Sequence, residues 1–74
     1  MTRDEAEEVL DLAERSDHPV QLSEAAEVLG YDSPRGVAKR ISCAWTYFEN
    51  NGEQRSAAII ARSFVDQNFR FPWM

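Results

Sequence analysis

The sequence has little of the chemistry on which most enzymes and metalloproteins depend. Its 74 residues include one cysteine, Cys43, and one histidine, His18. A lone cysteine cannot form a disulfide within the chain, and neither residue has a second Cys or His at the spacing of a zinc site. A glycine-rich phosphate-binding loop is also missing. The sequence therefore predicts a protein that is not an enzyme and that holds no metal or cofactor.

Long apolar runs are missing too. No stretch is long enough to cross a bilayer, and the start of the chain lacks the charged and then apolar pattern of a secretory leader. We therefore expect a cytoplasmic protein with no membrane partner. The length and the lack of any linker composition predict a single domain over residues 1–74.

Aromatic residues are absent from the first 30 positions, since all eight lie from Tyr31 onward. The N-terminal third has only aliphatic anchors, which predicts that it packs as a lid on a core built by later segments. Positive charge is also scarce there, because residues 1–32 carry ten acidic and two basic side chains, a net charge of −8. Residues 33–74 have a net charge of +3. This asymmetry predicts that any contact with nucleic acid is local and oriented.

Two helix starts stand out near the N-terminus. Thr2 and Glu5 have the spacing of a capping box, which predicts a first helix to about Ser16. The side chains predicted to face inward from it are Ala6, Val9, Leu10 and Ala13. The following segment 20–22 is predicted as a small strand or an extended link, and a second helix is predicted to begin at Ser23 and to end at Gly30, with Ala25, Ala26 and Leu29 inward.

A third helix has the clearest start in the chain, because Ser33 is a favourable N-cap and Pro34 suits the first helical position. Apolar residues recur from there at steps of three and four, which predicts a buried stripe of Val37, Ile41, Ala44, Trp45 and Phe48. The opposite face carries hydrogen-bond donors and no acid: Arg35, Lys39, Ser42 and Thr46, with Arg40 and Tyr47 beside them. Two short helices joined by a glycine turn are typical of a helix-turn-helix.

The rest of the chain predicts a break, a helix and a tail. Residues 50–52 form the break, and the pattern over 53–64 favours a helix, with Ala57, Ile60, Ala61 and Phe64 inward. Phe69, Phe71 and Trp73 then alternate with Arg70 and Pro72, as in an extended segment. This aromatic tail is predicted to pack on its own core or to form a homodimer. The predicted fold is mainly α, a compact three- to four-helix domain.

The segment LGYDSPRGVAKRI resembles the turn and reading helix of winged helix-turn-helix regulators, in particular the DNA-binding domain of the bacterial SOS-response repressor. The resemblance covers Ser23 to Trp45. It implies DNA contacts at Ser33, Arg35, Gly36, Lys39 and Arg40, and a degenerate winged helix, since a helix is predicted where the family has wing strands. The whole chain also resembles small actinobacterial and phage proteins of that degenerate type.

Two functions are open from the sequence. In the first, a transcriptional regulator binds double-stranded DNA through the third helix, with Ser42 and Thr46 adding contacts. In the second, an acidic adaptor or inhibitor, such as a phage protein that mimics DNA, binds a protein partner. The residues predicted for that alternative are Glu7, Glu8, Asp11, Glu14, Phe69, Phe71 and Trp73.

Overall fold

Four α-helices make up most of the chain in the computed structural model, which describes residues 1–55 and 58–69. The helices are α1 (Arg3–Arg15), α2 (Pro19–Val28), α3 (Pro34–Asn50) and α4 (Ile59–Asn68). No strand occurs among these described residues. The prediction of a mainly helical chain is confirmed.

The predicted start of α1 is confirmed by its capping box. The Thr2 hydroxyl accepts a hydrogen bond from the backbone N–H of Glu5 at 3.3 Å, and the Glu5 carboxylate accepts one from the backbone N–H of Thr2 at 3.4 Å. The predicted inward side chains of α1 are all buried, and Leu12 joins them. The two reciprocal bonds satisfy backbone donors that the first turn of a helix leaves without partners.

The prediction of a strand or link at residues 20–22 is wrong, and so is the predicted start of α2 at Ser23. The helix begins at Pro19, whose ring suits the first helical position, and Leu22 and Ala26 lie on its buried side one turn apart. Leu29 was expected inward, but it lies after the last turn of α2 and is 48 % exposed.

The end of α2 matches the prediction at Gly30, which has a φ of 90°. The Gly30 N–H donates to the Glu27 carbonyl and the Tyr31 N–H donates to the Ala26 carbonyl, both at 3.0 Å. This pair of bonds is a Schellman motif, in which a glycine reverses the chain at low steric cost. The motif sets the start of the five-residue connection to α3.

The predicted start of α3 is confirmed, because the Ser33 hydroxyl accepts from the Gly36 N–H at 3.1 Å and Pro34 is the first helical residue. Its predicted stripe is buried except for Trp45, which is half-buried. The predicted break is confirmed at Asn51 and at Gly52, which has a φ of 75°, whereas Asn50 is the last residue of α3.

The fourth helix begins later than the predicted Glu53 and continues past the predicted end at Phe64. Segment 53–55 is not helical, and Glu53 and Arg55 form ion pairs with α1. Ala61 and Phe64 are buried as predicted, and Ile60 is half-buried. Ala57 lies outside the described residues.

A single cluster of buried residues holds the helices together. Its largest fully buried side chains are Phe48, Leu22, Ile41 and Val9. The prediction that the N-terminal third forms a lid is wrong, since α1 contributes five buried residues and packs mainly on α3. Aliphatic side chains suffice for this because helix interfaces accept Ala, Val and Leu as readily as aromatic residues.

Candidate nucleic-acid interface

The exposed face of α3 is oriented by the burial of its opposite face. Val37, Ile41 and Ala44 are at most 2 % exposed, and Phe48 is 1 % exposed. Side chains on the other side of the helix therefore point away from the core. Arg35 and Lys39 lie on that side, Arg40 lies at its edge, and all three cations are exposed.

The two arginines of this face lie over aromatic rings. The Arg35 guanidinium carbon is 5.6 Å from the centre of the Phe69 ring, at the end of α4. The Arg40 guanidinium carbon is 5.3 Å from the centre of the Tyr31 ring, in the connection before α3. Attraction between a cation and the ring face restricts each guanidinium, while its N–H groups can still donate to another group. Each ring therefore favours one position of its guanidinium before any ligand binds.

The hydroxyl groups of this face have different environments. The Thr46 hydroxyl is exposed and donates to the Ser42 carbonyl at 3.0 Å. The Ser42 hydroxyl oxygen is shielded from solvent and has no hydrogen-bond partner within the described part of the chain. Ser33 already uses its hydroxyl to cap α3. Of the three predicted hydroxyl contacts, Ser33 and Thr46 are thus exposed, and each already makes one hydrogen bond to the backbone of α3.

Gly36 lies in the first turn of α3, between the cations. A Cβ placed there would meet only the Ser33 hydroxyl oxygen, at the ordinary contact distance of 3.5 Å. An alanine would therefore fit at this position. A glycine within a helix is less stable than alanine by roughly 0.5–1 kcal/mol, so packing inside the protein does not explain why this residue is a glycine.

Tyr31 was not predicted as part of the site, although its position after a helix-ending glycine is a signal for a side chain that folds back on the helix. Burial raises the pKa of its phenol, the carboxylates of Glu8 and Glu5 raise it further, and Arg40 opposes them. The first acidic residues of α1 therefore lie near Tyr31 and weaken the positive potential around Arg40.

The acidic face of α1 is partly neutralised from within the chain. Nitrogen atoms of Arg55 lie 3.9 Å from Glu7, 3.7 Å from Asp11 and 4.0 Å from Glu14. Three of the four acids predicted for a protein partner thus surround one arginine. Nothing in the local sequence around Arg55 predicts this contact, because it depends on the path of the chain after α3.

Arg3 and Glu53 form a closer pair. Their two nitrogen–oxygen distances are 2.7 and 2.8 Å, in a bidentate arrangement. The hydrogen bond from Arg3, together with its charge, holds the pKa of Glu53 below its usual value. The pair ties the segment after α3 to the start of α1.

We expect the stabilisation from Glu53 to depend on pH. A carboxylate with a lowered pKa in the folded state stabilises the fold above its pKa in the unfolded chain, and this contribution is lost as the pH falls through the folded pKa. Glu53→Gln should therefore lower the midpoint of thermal unfolding at pH 7 and have no effect at a pH below the folded pKa. Equal destabilisation by the variant at both pH values would contradict this.

Phe69 is the only residue of the predicted aromatic tail within the described part of the chain. Its backbone is extended, with φ −140° and ψ 98°, and its side chain packs against the core cluster. Phe71 and Trp73 lie outside the described residues.

A groove runs between α3 and α4, with a cavity volume of about 620 Å³. Lys39, Ser42 and Thr46 line it from α3, and Arg62 and Asp66 line it from α4. Three of the predicted contact residues therefore share one concave surface, whereas Arg35 and Arg40 are not among its lining residues.

No protein-family model, curated protein or solved structure matches this chain. None of the four described helices is long and apolar enough to cross a membrane. Within residues 1–55 and 58–69, no group of three or more His, Cys, Asp and Glu side chains is arranged to hold a metal ion.

Proposed function

We propose that the chain binds double-stranded DNA through the exposed face of α3 and acts as a transcriptional regulator. The observation that carries this proposal is the group of three exposed cations in the first two turns of α3, two of which are held over aromatic rings. Arginine and lysine donate to phosphates and to guanine edges. The one acid of α3, Glu49, lies in its last turn, away from the cations.

We propose further that α2, the connection over residues 29–33 and α3 act as a helix-turn-helix. In that arrangement the first residues of the second helix contact the bases, and Arg35, Gly36, Lys39 and Arg40 occupy those positions here. Gly36 fits this role because a residue without a Cβ lets a phosphate or a base edge approach the helix backbone closely. A homodimer is expected, since two half-sites raise the affinity of a small reader.

The net charge of −5 opposes DNA binding as a whole. The ion pairs that Arg3 and Arg55 form with Glu7, Asp11, Glu14 and Glu53 reduce the local excess of negative charge on one side of the molecule. Binding through α3 then depends on a few oriented contacts and is sensitive to salt.

Replacement of Arg35, Lys39 and Arg40 together by alanine should abolish salt-sensitive binding to duplex DNA. Each arginine that contacts a base in a bidentate way contributes about 1–3 kcal/mol. The measurement is fluorescence anisotropy with a random-sequence duplex pool at two salt concentrations. Thermal unfolding of the variant, followed by circular dichroism, shows whether the lost binding reflects lost structure.

Lys39→Ala and Arg15→Ala form a matched pair, because each removes one exposed positive charge from a helix. Lys39→Ala should reduce the slope of log affinity against log salt by about 1 if Lys39 contacts a phosphate. Arg15→Ala, on α1, should leave the slope unchanged. Equal effects of the two variants would indicate a general charge effect rather than a site on α3.

The anisotropy measurement also distinguishes DNA binding from the alternative function, that of an acidic adaptor. If the wild-type protein fails to bind DNA at low salt, the DNA proposal is wrong and the search moves to protein partners of α1. The arrangement of Glu7, Asp11 and Glu14 around Arg55 makes α1 a weaker candidate than its sequence indicated, since those carboxylates already have a cationic neighbour.

A further inference from the structure

The two flanks of α1 differ in the way that their acidic side chains are paired. Glu7, Asp11 and Glu14 follow one another at steps of four and three residues, so they lie on one side of the buried stripe of this helix. Nitrogen atoms of Arg55 lie within 4.0 Å of all three carboxylates. A cation of the same chain therefore neutralises part of the charge on that flank.

The opposite flank of α1 carries Glu5 and Glu8, which are three residues apart and lie on the same side of the helix. The Glu5 carboxylate is engaged in the capping box, where it accepts from the Thr2 N–H. Glu8 is exposed and takes part in no ion pair or hydrogen bond within the residues that the structure describes. This flank therefore presents an unpaired negative charge at Glu8.

Glu8 and Arg40 are both close to Tyr31. The helices that carry these two charges pack on each other, and the Arg40 guanidinium carbon lies 5.3 Å from the centre of the Tyr31 ring. Burial raises the pKa of the Tyr31 phenol, Glu8 raises it further and Arg40 lowers it, so both charges act on one group. No ion pair joins Glu8 to Arg40 in the described part of the chain. The carboxylate therefore influences the surroundings of Arg40 without occupying its N–H groups.

A carboxylate near a DNA-binding arginine discriminates between the groups that the arginine can contact. A phosphate carries a negative charge and is repelled by Glu8 as it approaches Arg40. A base edge is uncharged, so a guanine can accept from the Arg40 guanidinium with little opposition from Glu8. Lys39 lies on the outer face of α3 and lines the groove to α4, so phosphates can reach it on the side away from Arg40. Repulsion by Glu8 therefore acts mainly on phosphates at Arg40.

We propose that Glu8 is a specificity-determining residue of the DNA interface, because its carboxylate keeps phosphates away from Arg40 and so leaves this arginine for contacts with bases. The inference rests on the proposed function and deepens it. Phosphate contacts carry no sequence information, whereas base contacts do. Loss of the charge at Glu8 therefore lets Arg40 bind a phosphate, and DNA of any sequence binds more tightly.

The test measures the affinity of the full chain for a random-sequence duplex pool by fluorescence anisotropy at two salt concentrations. Glu8→Gln should raise the affinity about two- to fivefold at low salt, the effect of one unit charge near a phosphate at an exposed site, and the gain should shrink as salt rises. Glu14→Gln makes the same change in net charge on the other flank of α1 and should leave the affinity unchanged. Glu8→Asp keeps the charge and should bind as the wild-type protein does.

A second measurement needs no DNA. Glu8→Gln should lower the pKa of the Tyr31 phenol, followed by NMR with 13C-labelled tyrosine, and Glu14→Gln should not. A pKa of Tyr31 that does not respond to Glu8→Gln, or equal gains in DNA affinity for the two variants, would overturn this inference and leave the DNA proposal standing. If the wild-type protein and Glu8→Gln both fail to bind duplex DNA at low salt, the proposed function and this inference are both wrong.

Discussion

Phe48→Ala is expected to lower the free energy of unfolding by about 3–5 kcal/mol, the range for loss of a buried aromatic side chain. Phe48 is 1 % exposed and is the largest fully buried side chain among the described residues. Domains of this size are stable by only about 5–15 kcal/mol in total. Much of the variant should therefore be unfolded at moderate urea concentrations. The measurement is urea unfolding followed by circular dichroism.

Phe48 is also connected to the ion pairs that fix α1. The guanidinium carbons of Arg3 and Arg55 lie 5.5 and 4.9 Å from the centre of its ring. Loss of the ring removes both cation–π contacts, so the arginines are held less firmly near Glu53 and Glu7. Phe48→Leu keeps most of the packing without the ring and should cost less than Phe48→Ala.

Ile59→Ala is the control for this prediction. Ile59 is an apolar residue of similar size, but it is 86 % exposed, and exposed substitutions change stability by about 0.5 kcal/mol or less. Comparable losses of unfolding free energy for Phe48→Ala and Ile59→Ala would mean that Phe48 is not a buried residue of the core.

Local signals in the sequence predicted the parts of the fold that depend on a few neighbouring residues. Thr2 with Glu5, Ser33 with Pro34, and Gly30 each marked a helix end correctly, because caps and left-handed glycines act over a single turn. The apolar spacing of α3 predicted its buried face for the same reason.

Errors arose where contacts distant in sequence decide the structure. The segment from Val20 to Leu22 was interpreted as a strand or link, but Leu22 is buried by the other helices and the segment is helical. The start of α4 was placed at Glu53, whose partner Arg3 lies 50 residues away. Neither contact leaves a pattern in the local sequence.

The sequence predicted which residues of the candidate site share one face of α3. The structure shows which other side chains surround that face. Nothing in the sequence indicated that Phe69 would lie under Arg35. The position of Tyr31 after Gly30 indicates a side chain that folds back on α2, but not its contact with Arg40. The shielded hydroxyl of Ser42 was equally unpredictable, since helical spacing alone places it beside Thr46 on the polar face.

Leu22→Ala should have the second-largest effect, a loss of about 2–5 kcal/mol. Leu22 is 0 % exposed, and the only other buried residue of α2 is Ala26. With so few buried side chains, α2 depends on Leu22 for its attachment to the core, and the proposed DNA-binding arrangement of α2 and α3 depends on that attachment. The variant should therefore lose amide hydrogen-exchange protection first in α2.

Hydrogen exchange distinguishes this local release from global unfolding, because detachment of α2 alone leaves protection in α1 and α3. Val20→Ala is the matched control on the same helix, since Val20 is 63 % exposed and should tolerate the change. Weaker DNA binding by Leu22→Ala, with the amides of α3 still protected, would indicate that α2 positions α3 for DNA binding. Unchanged exchange in α2 would instead show that Leu22 does not hold this helix in place.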